Sequence, residues 1–220
     1  MTLGNQKTGT QAEPLLVLEN VKKYYPVQKN IIDQVFAGHI DYVRAVDDVS
    51  LFIRRGEALG LAGESGSGKT TIGRLAIGLE KLTSGKAVFD GQDLSKLTAE
   101  ELRKLRKRMQ VIFQDPMASL NPRMTLGNAI KQGLRIHFPE QAAQHRDMVL
   151  SMYEKVGLTP PLFFYDKFPH QISGGQRQRV VIARALITRP DLVLADEPVA
   201  MADVSVRALL LDLMINLKNE

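Results

Sequence analysis

Cysteine is absent from the 220-residue chain. That excludes disulfide scaffolds, thiolate zinc sites and cysteine nucleophiles, and it fits a reducing compartment. Long apolar runs are missing too. A stretch such as Leu192-Val193-Leu194-Ala195 falls far short of the roughly 20 residues that a membrane-spanning helix needs. The opening segment, Met1 to Pro14, is polar, lacks a signal-peptide core and reads as a disordered lead-in. There is no internal repeat. If the protein serves a membrane, it does so from outside the bilayer, as a peripheral subunit.

What is present is ordinary globular composition, 44% hydrophobic and 24% charged. Wholesale disorder, collagen-like repeats and coiled-coil arrays are thereby excluded. The length suits one large domain or a compact pair. Lys plus Arg exceed Asp plus Glu, 29 to 24, for a net charge of +5. This leaves room for anionic ligands without singling out nucleic acid. The run Arg103 to Arg108 is basic but carries no interleaved aromatics, so it reads as a solvated helix face.

Strand signals occur at Leu15 to Leu18, Val49 to Ile53, Ala58 to Ala62, Lys86 to Phe89, Met109 to Gln114 and Leu192 to Asp196. The run at Ala58 to Ala62 is nearly continuous, as for a strand buried on both faces. Helices are expected from about Thr70 to Leu79 and after the capping box Thr98-Ala99-Glu100-Glu101. Between Pro116 and Ile172 strand signals fade, and helical patterns cover Thr125 to Phe138 and Glu140 to Val156. Val149, Met152, Tyr153 and Val156 share one face of the second, and Gly157 stops it. A last helix carries Val206, Leu209, Leu210, Leu213, Met214 and Leu217 as an apolar stripe. Between Tyr25 and Val46, Ile31, Ile32, Val35, Phe36, Ile40 and Val43 recur at near-helical spacing. They form a surface helix packed on the body or a docking element for a partner. Alternating strands and helices predict an α/β fold with a largely parallel sheet.

The chemistry begins at Gly63-Glu64-Ser65-Gly66-Ser67-Gly68-Lys69-Thr70, which matches G-x-x-x-x-G-K-[ST] between a predicted strand and a predicted helix. Glycines let successive N–H groups turn inward as an anion nest, and the helix start adds partial positive charge. Lys69 is suited to the β- and γ-phosphates of a nucleotide, Thr70 to Mg²⁺, and Thr71 to a further phosphate hydrogen bond. Leu192 to Ala195 then lead into Asp196-Glu197. Adjacent side chains at a strand end diverge, so the two carboxylates do different jobs. Asp196 suits Mg²⁺, directly or through water, and Glu197 suits an attacking water.

A third element separates the classes of nucleoside triphosphatase. In Ile172-Ser173-Gly174-Gly175-Gln176-Arg177-Gln178-Arg179, Ser173 is placed to cap a helix whose first amides are bare. With Arg177 and Arg179, the run Ser173-Gly174-Gly175-Gln176 resembles the signature motif of ABC-type ATPases. Ile172 stands where leucine is usual. The order also resembles that family: phosphate loop, Gln114 at a strand end, helical insertion, signature, then Asp196-Glu197. The resemblance spans about Leu15 to Glu220. The segment Phe113 to Pro122 and Phe168-Pro169-His170-Gln171 resemble the ATP-binding subunits of dipeptide, oligopeptide and nickel importers. The insertion after Tyr25 looks like the second of the two paired ATPases in such importers.

The resemblance implies a P-loop fold with a mostly parallel core sheet, an N-terminal antiparallel β portion and a helical subdomain. The core would begin at residues 15–115 with an insertion at 26–44. Residues 116–172 would be the helical subdomain, and 173–220 the signature helix, the carboxylate strand and the helix after it. Tyr25, with Tyr24 as second choice, would stack on adenine. Gly63, Glu64, Ser65, Gly66, Ser67, Gly68, Lys69, Thr70 and Thr71 would hold the phosphates. Gln114 would sense Mg²⁺ and the γ-phosphate, and Thr70, Gln114 and Asp196 would hold the ion. Ser173, Gly174, Gly175 and Gln176 would meet ATP held by a partner subunit. Glu197, with Gln114 and Lys69, would carry catalysis. Asp203 matches the aspartate of a later loop, here Ala200-Met201-Ala202-Asp203 where Ser-Ala-Leu-Asp is usual.

The implied partners are a second, homologous ATPase forming a heterodimer, two transmembrane permeases and an external substrate-binding protein, with no nucleic acid. The implied place is the cytoplasmic face of the inner membrane. The implied function is ATP hydrolysis energising import of peptides or nickel. A non-catalytic remnant and a soluble ABC ATPase of DNA repair or translation are the alternatives. The family also places a strand with a switch histidine in a position beyond Glu220, whereas His39, His137, His145 and His170 all come earlier. Residues 1–220 are therefore expected to be a truncated ATPase with weak or absent hydrolysis of its own.

Overall fold

The computed structural model describes residues 13–27, 41–197, 208 and 212–215. The expectations for lead-in residues 1–12, insertion residues 28–40, Asp203 with its loop, and Val206, Leu209, Leu210 and Leu217 lie outside these. The chain divides into two compact units, Met1–Lys96 and Leu97–Glu220.

In the first unit, β1 (Leu16–Pro26) lies antiparallel between β2 (Tyr42–Ile53) and β3 (Ser84–Phe89). The short β4 (Gln92–Asp93) completes the order β2-β1-β3-β4. β1 runs well past the expected Leu15–Leu18. Its buried residues Leu16, Leu18 and Val21 step by two and then by three. The odd step is a bulge: pairing with β2 shifts between Leu18 and Val21, and Asn20 takes a φ of 47°. Asparagine tolerates that left-handed backbone, and the extra residue re-phases the strand so that Val21 again faces inward. Asn20 is tied to β2 through its N–H to Ser50 Oγ (2.9 Å) and through Nδ2 to Asp48 Oδ1 (3.2 Å). Val43, expected within a helical pattern, belongs to β2.

The helix after the phosphate loop is α1 (Lys69–Ala76), which buries Gly73, Leu75 and Ala76 and packs on β1, β2 and β3. The strand expected at Ala58–Ala62 does not form. Those residues are irregular and exposed, with Leu59 at 44% and Leu61 at 42%. Among the described residues no strand pairs with them. An apolar run without a neighbouring ladder leaves its N–H and C=O groups to water, so hydrophobicity alone does not make a strand there.

The second unit opens with α2 (Ala99–Leu105). Its predicted capping box is closed in both directions: Glu101 N–H donates to Thr98 Oγ1 (3.3 Å) and Thr98 N–H to Glu101 Oε2 (2.8 Å). In the adjoining basic run, Arg103 holds Glu100 through two 2.9 Å bonds and Arg108 pairs with Asp191. Next come β5 (Met109–Ile112), α3 (Pro116–Ser119), α4 (Leu126–His137), α5 (His145–Lys155), α6 (Pro161–Tyr165) and α7 (Gly174–Leu186). β6 (Leu192–Ala195) pairs parallel with β5 in a separate two-stranded sheet. Of the largely parallel sheet expected from the sequence, this pair is what the described residues show, the four-stranded sheet being antiparallel throughout. The helix expected over Glu140–Val156 is broken. Pro139–Gln144 form a tight 3-10 segment in which Gln141 leaves helical geometry, and α5 starts at His145. The His145 ring fixes the break, with Nε2 2.9 Å from the Phe138 carbonyl at the end of α4.

The core of this unit gathers Leu126, Ile130 and Leu134 from α4, Val149 and Tyr153 from α5, and the middle of α7. Val180, Val181, Ile182 and Ala183 are all fully buried, so α7 is enclosed on every side. Leu213 and Met214, from the predicted final stripe, pack against this core. Gly127 lets α4 approach the Tyr165 ring: a Cβ there would meet ring carbons at 2.7–2.8 Å. Gly127→Ala is expected to destabilise the fold by about 1–3 kcal/mol through overpacking, despite alanine's better helix propensity. Urea unfolding with an unchanged m-value checks it.

Candidate nucleotide site

The phosphate loop of the first unit is built as its residue types require. Gly66 and Gly68 take φ of 81° and 91°. A Cβ on Gly68 would stand 2.4 Å from the Ala45 carbonyl oxygen, so glycine is the residue that fits. Ser67 N–H returns to Glu64 O (3.2 Å), and Ile72 N–H to Gly68 O (2.8 Å) starts α1. Lys69 Nζ donates to Gly63 O and Glu64 O, 2.7 Å each. The ammonium thus closes the loop on itself and concentrates positive charge at the helix start. Thr70 and Thr71 stand half-buried in the first turn, which has no acidic residue to repel an anion.

In the same unit the two candidate adenine platforms differ. Tyr24 is engaged: its hydroxyl donates to Asp47 Oδ1 (2.5 Å) and Arg44 lies over its ring. That bond raises the Tyr24 phenol above its ordinary range and lowers the Asp47 carboxyl. Tyr25 keeps its ring at the surface, 36% exposed, with Lys23 Nζ 4.8 Å from the ring centroid.

In the second unit, register brings two predicted residues together. Ile112 of β5 pairs with Ala195 of β6. Two positions beyond each stand Gln114 and Glu197, and Gln114 Nε2 donates to Glu197 Oε2 at 2.7 Å. Asp196 N–H donates to Ile112 O (3.0 Å), which continues the ladder to the last residue before Glu197. Glu197 itself adopts a φ of 46°. A left-handed backbone at a residue other than glycine costs about 1 kcal/mol or more and concentrates at functional positions.

The signature segment starts α7 with a second closed capping box. Gln176 N–H donates to Ser173 Oγ (3.3 Å) and Ser173 N–H to Gln176 Oε1 (2.9 Å). The turn before it is held by Arg177 Nη1, on Ile172 O (2.8 Å) and Pro169 O (3.2 Å). Gly174 and Gly175 lie in the first turn. Arg179 Nη1 reaches Gly157 O (2.9 Å) at the end of the α5 segment. Gln176 therefore serves its own loop, a role that the motif alone does not disclose. Arg184 is a residue that sequence reasoning misses. Its signal is a lone arginine inside the apolar run Val180 to Leu186.

A phosphate loop with its lysine, a carboxylate beyond a parallel strand and a capped Ser-Gly-Gly-Gln helix define a nucleotide-binding cassette. Residues 46–200 match the ABC transporter family, and the chain belongs to that family. Among similar proteins is the oligopeptide transport ATP-binding protein AppF of Bacillus subtilis, 45% identical over 100% of this chain and 64% of AppF. The dipeptide transport ATP-binding protein DppF of Escherichia coli is 44% identical over 96% of this chain and 61% of DppF. The chain thus spans 61–64% of the length of these curated relatives. A solved structure of the ATP-binding cassette MJ0796, dimeric and bound to ADP and Pi after hydrolysis, superposes with a TM-score of 0.79 at 29% identity. The match covers 92% of this chain and 82% of that one.

Proposed function

We propose that this chain is the ATP-binding and hydrolysing subunit that energises peptide import by an ABC transporter. The observation that carries the reading is the Gln114–Glu197 bond at the tips of two paired parallel strands. It sets a carboxylate suited to polarise water beside an amide suited to an ion and a phosphate. AppF and DppF are named for oligopeptide and dipeptide transport, which favours peptides over nickel as cargo.

Each residue then has a defined task. Tyr25 offers the more exposed ring for adenine. The loop amides of Gly63 to Thr71 and the Lys69 ammonium bind the phosphates. Glu197 takes the proton of the attacking water as the new bond to the γ-phosphorus forms and the bond to the β-γ bridging oxygen breaks. The Thr70 hydroxyl, the Gln114 amide oxygen and the Asp196 carboxylate are hard oxygen donors of the kind that suit Mg²⁺. When bound, Mg²⁺ neutralises charge on the phosphate oxygens. Ser173, Gly174, Gly175 and Gln176 present a second anion site, for ATP held by a homologous partner. ATP favours the closed dimer because it binds that state better than the open one. Two permease subunits, an external binding protein and a peripheral position at the cytoplasmic face of the membrane complete the assembly. In it, residues 15–115 form the first part of the core and 116–172 the helical subdomain. Residues 173–220 supply the signature helix, the carboxylate strand and the last helix.

The test is reconstitution of the protein with its permease partners in proteoliposomes. ATP-dependent accumulation of di- or oligopeptides is expected. ATP turnover with no peptide-dependent stimulation and no uptake would point to a soluble ABC ATPase instead. No turnover in the full assembly would point to a non-catalytic subunit.

A further inference from the structure

Arg184 sits on α7 among buried neighbours, Val180 to Ala183 and Ala185. No carboxylate among the described residues pairs with it. Its Nη1 donates instead to the main-chain carbonyl oxygen of Ser119. Burial lowers its pKa, but guanidinium starts so high that the charge remains. Holding a half-buried cation on a neutral carbonyl carries part of the cost of burying a charge, and an apolar side chain of similar size would fill the space without it. The identity of the carbonyl explains the choice.

Ser119 ends α3, the short helix that begins just after Gln114 and Asp115. Asp115 Oδ1 caps it at the front, accepting from Met117 N–H (2.7 Å) and Ala118 N–H (3.2 Å). Ser119 Oγ donates to Pro116 O (3.0 Å) and stiffens it from within. The segment 114–119 is thus fastened twice: to Glu197 through Gln114, and to α7 through Arg184. The other end of α7 is the Ser173 cap of the signature. Every link lies in the second unit.

We infer that Arg184 is a positioning residue that locks α3, and with it Gln114, to the signature helix, so that the signature and the γ-phosphate sensor move as one body. This rests on the ATPase reading above.

Two variants and one cycle test it. Arg184→Met keeps the bulk and removes the donors, and Arg184→Lys keeps the charge and a donor group but not the planar fork. By hydrogen–deuterium exchange of the chain, amides 115–120 should exchange about tenfold faster or more in Arg184→Met, while α4 is unchanged. In the assembled transporter, kcat should fall roughly tenfold with KM for ATP within about twofold, and Arg184→Lys should restore part of it. In a Gln114→Ala background, Arg184→Met should cause no further loss, because residues acting in series do not add. Additive losses, or unchanged exchange at 115–120, overturn the inference. If wild-type assembly shows no ATP turnover, the ATPase reading falls, and the exchange comparison alone decides on Arg184. If Arg184→Met does not fold, Arg184→Lys carries the same comparisons, with a smaller expected increase in exchange.

Discussion

Replacing Lys69 with alanine is expected to lower kcat/KM for ATP by about a thousandfold or more, a loss of roughly 4 kcal/mol in transition-state stabilisation. Two functions vanish together. The ammonium holds Gly63 O and Glu64 O at 2.7 Å each, so the loop is drawn closed by a charged donor. Hydrogen bonds of that kind are about twice as strong as neutral ones. The same charge stands where phosphate oxygens would accumulate negative charge. Water replaces the first function readily, because Gly63 and Glu64 are exposed, and the fold should survive. The second has no substitute. Lys69→Arg is not a rescue, since the planar guanidinium is larger and cannot act as a compact point charge inside the loop. Calorimetric titration of MgATP separates lost binding from lost turnover. Unchanged binding and turnover in Lys69→Ala would remove the phosphate loop from the mechanism.

Glu197→Gln should behave differently, with kcat lowered about a hundredfold to a thousandfold while ATP affinity is kept. Glutamine retains the length of the side chain and an oxygen that accepts from Gln114 Nε2, so the 2.7 Å contact has a direct replacement. What disappears is the ability to take a proton. ATP-bound material should therefore accumulate, visible by size-exclusion chromatography as an ATP-dependent shift to a dimer with the partner subunit. Glu197→Ala removes both the base and the contact and leaves Gln114 without its present acceptor. If the glutamine variant loses ATP binding as fully as the alanine variant, Glu197 is a structural anchor rather than a base.

Much of the fold and the site is legible in the sequence. The phosphate loop, the capping box at Thr98, the Ser173 cap and the buried face of α5 obey short-range rules, and the structure satisfies them. The parallel pairing of β5 with β6 is implied by helices intervening between two apolar strands. Ala58–Ala62 misleads because a strand is a property of a ladder, and local composition says nothing about whether a partner is adjacent. The reach of β1 to Pro26 is hidden by its bulge, which breaks the alternation on which strand assignment depends. Gln114 and Glu197 each stand out by motif, yet their contact depends on register across 83 residues of chain. Arg184 escapes notice for the opposite reason. An arginine in a helix is so common on surfaces that only its contact with the Ser119 carbonyl reveals what it does.

The left-handed backbone at Glu197 sets stability and chemistry against each other at one position. Glycine or asparagine there relaxes the chain, and both destroy the carboxylate. A population selected only for thermal endurance would drift toward those residues and lose turnover with each gain. On the role proposed above for Glu197, keeping glutamate requires selection for work done per ATP, so the residue at 197 would record whether a lineage has been using the site or merely keeping the fold.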